Sequence, residues 1–168
     1  LAQLENDTDL GPLLESAELK ALFAARRSAK AANRPEGVPE GATWSDSDNE
    51  WVLASKDEQG RDHGLVRYFR PDGSLVCETE HQHGVPHGTF RRFHESGEVS
   101  REGSFERGKL RGTNTFFRSE KPSTEKFPNG LGEHVWRAEM DFADDQIVAA
   151  RFFDLGGNRI REDGSPMP

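Results

Sequence analysis

One cysteine, Cys77, is all the thiol chemistry in 168 residues, so an internal disulfide is excluded. No apolar run approaches the roughly 18 residues that cross a bilayer, and the N-terminus lacks the basic-then-apolar order of a signal peptide. Together these read as a soluble protein of the reducing cytoplasm. Leu1 in place of Met points to a chain trimmed, processed or cut from something longer. Hydrophobic residues make up 33% and charged ones 31%, too lean a mixture for a thick two-layer core and suited to a single exposed sheet. Gly-x-Ser-x-Gly, a Cys-His motif and the phosphate-binding glycine loops are all missing, which takes away the usual supports of an enzyme. The reading is non-enzymatic, with no catalytic residue, cofactor or metal.

Charge adds a further exclusion. A net charge of −8 opposes non-specific binding to nucleic acid or to anionic membrane. The acids concentrate in the flanks, whereas residues 63–118 hold 9 bases against 7 acids. A mildly basic centre therefore lies between acidic ends.

What the chain does have is a period of 24 residues. His63-Gly64 recurs as His87-Gly88 and as Arg111-Gly112, with Phe69, Phe93 and Phe117 in step. Gly73 matches Gly97, Gly84 matches Gly108, Arg67 matches Arg91, and Glu78 matches Glu102. A fixed period of this size marks units that bury apolar surface only by stacking on their neighbours. A fourth unit repeats Phe-x-x-x-Gly at Phe153 and Gly157 after a step of 36, so twelve residues have been inserted, and they fall in the loop 119–133.

Within each unit the order is strand, turn, strand, turn. Leu65–Arg70 and Leu75–His81 flank Pro71-Asp72-Gly73; Thr89–His94 and Val99–Phe105 flank Glu95-Ser96-Gly97; Thr113–Arg118 follows Glu106-Arg107-Gly108. Upstream, Gly11-Pro12 precedes a helical stretch Leu13–Ala32 with an apolar stripe Leu19, Leu22 and Phe23. The organisation expected is a helical segment 1–33, a Pro/Gly linker 34–43, repeats over 44–162 and a tail 163–168.

The paired His-Gly, aromatic strand, Asp-Gly or Ser-Gly turn, Glu-bearing strand and second glycine turn of Gln59–Arg118 resemble the MORN-repeat family, most closely its bacterial variant. The resemblance leaves residues 1–43 uncovered, and the chain departs from the commoner motif, which carries an early tyrosine and glycine. It implies an elongated single-layer antiparallel sheet of successive β-hairpins acting as an interaction or scaffold element. Variant proteins of this type are often labelled antitoxin-like.

Period two separates the faces of such a sheet. Phe69, Phe93, Phe117 and Phe153 form one column, expected to be structural, and Tyr68, Arg92, Phe116 and Phe152 lie opposite. The second set, with Arg91 and Arg107 and the wider group Arg101, Lys109 and Arg111, is the expected contact surface for a cognate protein, because aromatic and arginine side chains dominate binding energy most often. Two other classes compete. One is lipid or membrane-surface association through the basic, aromatic centre, which the acidic flanks oppose. The other is a metal-dependent enzyme built on His81, His83 and His87 with Glu80, although His87 is only the repeat equivalent of His63. A homodimer through an exposed sheet edge is a further arrangement open to the fold.

Overall fold

A computed structural model describes residues 17–120, 127–128 and 130–168. The chain divides into two compact units at Pro35/Glu36. In the first, helix α1 spans Ala17–Ala32. Alanine and arginine fill most of it, and Asn33 ends it by donating from Nδ2 to the Ala29 carbonyl. Leu22 is exposed and Phe23 half-buried. The expected first turn at 13–16 and the Leu19 side chain lie outside the described residues.

The second unit is an open antiparallel sheet of ten strands in sequence order. They are β1 (Thr43–Ser45), β2 (Glu50–Leu53), β3 (Gly64–Phe69), β4 (Leu75–Gln82), β5 (Val85–Phe93), β6 (Val99–Glu106), β7 (Lys109–Phe117), β8 (Arg137–Ala143), β9 (Gln146–Phe153) and β10 (Arg159–Ile160). Among the described residues the protein is mainly β, a sheet of successive hairpins preceded by one helix. Both edge strands are short, which limits the unpaired backbone they present.

Stacking contacts recur in register with the repeat. The Asp62, Pro86 and Leu110 carbonyls accept from the N–H groups of Gly84, Gly108 and Asp145. At the other end Arg70 Nη2 donates to the Phe93 carbonyl, and its repeat equivalent His94 places Nε2 3.0 Å from the Phe117 carbonyl. His94 is buried, so its role is to tie one unit to the next. The hairpin turns His83-Gly84 and Arg107-Gly108 take positive φ at both residues, the geometry that matches strand twist. Asp144-Asp145 does the same without glycine, which asparagine-like side chains tolerate.

Two expectations need correction. β5 and β7 begin four residues before Thr89 and Thr113, so Gly88 and Gly112 lie inside strands. Their positive φ accompanies register shifts at Thr79/His81 and Glu102/Ser104, the signature of bulges, and from sequence such a glycine looks like a turn. The stretch 36–42, read as linker, packs instead: Val38 is buried with Trp44, Trp51 and Phe69. The described part of the inserted loop also packs, with Phe127 and Leu131 against Ala138, Met140 and Phe142. Lys121–Lys126 lies outside the described residues.

The registers put these two clusters on opposite faces. Trp51 faces Phe69 across β2 and β3, and Phe69 shares its face with Arg67. Ala138 faces Phe116, on the other side.

Candidate functional site

Following Cα partners across the sheet gives two adjoining rows of opposite character. One reads Leu53, Arg67, Glu78, Arg91, Glu102, Thr115, Glu139, Arg151. This is the charged face. Its arginines meet carboxylates directly across the strands: Arg67–Glu78 at 3.5 Å, Arg91–Glu102 at 3.4 Å and Arg151–Glu139 at 3.2 Å. Arg151 also grips Asp141 through two N–H groups at 2.8 and 2.9 Å, and Thr113 donates to the same carboxylate. Those bonds hold Asp141 down at about 2 and raise Arg151 above its ordinary value.

The next row reads Val52, Tyr68, Cys77, Arg92, Arg101, Phe116, Ala138, Phe152, Ile160. It contains Tyr68, Arg92, Phe116 and Phe152 in line, all half-buried. Beside it on the same face run Val66, Thr79, Phe90 and Gly103, then Asn114 and Met140. Val66, Phe90 and Asn114 are buried, so the mid-array core belongs to this face. The Phe69 column, expected to be structural throughout, is buried only at Phe69; Phe93, Phe117 and Phe153 are half-exposed because the Trp44–Trp51 cover reaches only the first of them.

The row lines two adjoining cavities. One, of about 460 Å³, lies among Tyr68, Cys77, Phe90, Arg92 and Phe105, with Asp48 and Glu50 on its wall; the other, of about 580 Å³, is formed by Phe116, Met140, Phe142, Phe152, Phe127 and Leu131. Arg101 lines both.

Arg101 is where the repeat breaks. Its equivalent one unit earlier is buried Cys77, and Phe90 and Thr79 become Asn114 and Gly103 in the same step of 24. The three changes belong together. Arg101 Nη2 donates to Asn114 Oδ1 at 3.2 Å, Asn114 Nδ2 donates to the Arg111 and Gly112 carbonyls, and any Cβ on Gly103 would run into the Asn114 amide. The guanidinium lies 4.4 Å from the Phe116 ring centre, 5.2 Å from Phe90 and 5.9 Å from Phe142. Burial, and Arg92 across the strand, push the Arg101 pKa down.

The other sequence candidates scatter. Arg91 sits on the charged face, and Arg107 occupies a hairpin turn, exposed. His81, His83 and His87 do not converge: His81 Nδ1 lies 3.2 Å from the Thr79 carbonyl and His87 Nδ1 accepts from the Arg107 N–H. Instead His83 meets His63 and Asp57, whose ligand-type atoms lie within 4.8 Å of one another. Asp57 is already filled, however. Oδ1 accepts the Gln59 and Arg61 backbone N–H groups, and Oδ2 accepts from Arg61 Nε at 2.9 Å and lies 2.9 Å from His83 Nδ1. The hydrogen bond with His83, then those from Arg61 and Gln59, hold the carboxyl well below its usual range. A cation here would sit against the Arg61 guanidinium, so the cluster acts as a clasp between loop 57–63 and the turn at His83. Sequence spacing missed it because the loop, not the period, brings Asp57 round.

Comparison with known protein families and with curated proteins finds no match.

Proposed function

We propose that the protein is a non-enzymatic interaction module that binds a cognate protein and positions or restrains it, with the Tyr68–Phe152 row as the contact face. The observation that carries this reading is the row itself: tyrosine, two arginines and two phenylalanines in cross-strand register, half-covered and opening into two adjoining cavities. Such side chains in partly desolvated hollows are the ones that anchor interfaces. The MORN-like repeat pattern agrees with a binding or scaffold role, and an antitoxin-like restraint of one partner in the bacterial cytoplasm is its specific version. Lipid association is the weaker reading, since Arg91 and Arg111 at the basic centre are engaged by Glu102 and Glu106.

The test is site-specific photocross-linking in the source cell. A benzophenone side chain at Tyr68 or Phe152 should give a discrete protein adduct; at Thr89 or Thr115, on the charged face, it should give none. Adducts from the charged face alone, or from neither face, would overturn the assignment.

A further inference from the structure

On the charged face each arginine of the row meets a carboxylate; on the contact face Arg101 does not. Among the described residues no ion pair reaches it, although Glu162 lines the same cavity. Its Nε is buried and has no hydrogen-bond partner, and its one side-chain partner is the neutral amide of Asn114. An unmatched buried donor on a cation costs free energy in the isolated protein. The arrangement is nonetheless built. Asn114 is fully buried, its Nδ2 is fixed by two backbone carbonyls, and Gly103 supplies the room that the amide needs. All three residues depart together from the preceding unit, where Cys77, Thr79 and Phe90 fill the same slots.

Resting on the reading of this face as the contact surface, we propose that Arg101 is its specificity site, and that the occupant is a segment of the partner protein presenting one carboxylate between apolar side chains. The carboxylate, from Asp, Glu or a chain terminus, pairs with the guanidinium that Asn114 holds in place. Its apolar neighbours enter the hollow of Phe116, Met140, Phe142 and Phe152. Charge complementarity selects this occupant: around Phe116 and Phe142 the wall is mostly apolar, and although Glu162 lines this cavity and Asp48 and Glu50 the adjoining one, no ion pair reaches the Arg101 guanidinium among the described residues. A carboxylate brought into that setting is worth more than one at the rim, because water competes less for the half-buried guanidinium.

The experiment selects displayed random peptides of about 12 residues on the full-length protein, then measures the synthetic winners by fluorescence anisotropy. Three variants accompany wild type. Arg101→Gln removes the charge while keeping a donor for Asn114, Asn114→Asp neutralises Arg101 from within, and Tyr68→Ser weakens the face without touching the charge. The proposal expects winners with an acid beside apolar residues. Changing that acid to its amide should weaken binding to wild type about tenfold or more, and should change little on Arg101→Gln or Asn114→Asp. Winners that need Tyr68 but show no acid, or lose nothing on its amidation, would overturn the carboxylate assignment and leave the contact face standing. Winners indifferent to both Tyr68 and Arg101, or no winners at all, would overturn the contact face itself.

Discussion

The arginines of the charged row and Arg101 of the contact face are treated in opposite ways. On the charged face Arg67, Arg91 and Arg151 each meet a carboxylate across the strand, half in water. On the contact face Arg92 and Arg101 stand next to each other, and Arg101 is boxed by phenylalanines with a buried donor left over. A charge balanced at home explains itself by stability. One left unbalanced in an apolar wall is a cost that folding alone gives no reason to keep.

That contrast is broken first by the core. Phe90, buried at the centre of the contact face, should cost about 3–5 kcal/mol when truncated to alanine, whereas Phe93→Ala should cost less than half as much. Urea denaturation of both variants measures the difference. Equal losses would mean that both faces are packed alike.

A smaller effect is expected at Gly103. Alanine there drives a methyl group into the Asn114 amide and should cost about 1–3 kcal/mol. Combined with Asn114→Ser, which withdraws the obstructing atoms, the cost should be clearly less than the sum of the two single changes. Strict additivity in denaturation would show that the two residues are not in contact.

On the charged face the sharpest signature is pH. Asp141 is held at about 2 by Arg151 and Thr113, below its ordinary 3.8. A carboxyl with a depressed folded-state pKa lends stability above its unfolded pKa and loses it as pH falls through the folded one. The pair therefore contributes at neutral pH and fades between about pH 4 and pH 2. Asp141→Asn should lower the melting temperature at neutral pH and flatten its decline on acidification over that window. A parallel decline in variant and wild type would remove the pair from the account.

Much of this fold was legible in the sequence, because a period written in glycines and phenylalanines places hairpin turns directly: Gly73, Gly84, Gly97 and Gly108 all take positive φ where a turn was expected. The separation of Tyr68, Arg92, Phe116 and Phe152 from the Phe69 column follows from alternation alone. Burial did not follow, since it depends on cover that lies outside the repeats: Val38 over Phe69, and Phe127 and Leu131 over the Phe116 end. Arg101 was expected on the contact surface, but only as one of a group of basic residues. Its meaning lay in reading Gly103 and Asn114 along with it, a compensated change of size and polarity within one unit. The Asp57–His63–His83 clasp had no such trace, because a loop assembles it.

The most direct measurement sets one arginine of each face against the other. Arg101→Gln and Arg91→Gln remove the same charge from adjacent β6 and β5, one from the contact face and one from the Glu102 pair. Both variants should melt close to wild type, the second because exposed ion pairs contribute little. Against the partner captured by cross-linking at Tyr68, titrated by calorimetry, Arg101→Gln should lose about tenfold or more in affinity while Arg91→Gln stays within about twofold. Full affinity in a folded Arg101→Gln protein, or a loss at Arg91 as large as that at Arg101, would contradict the account.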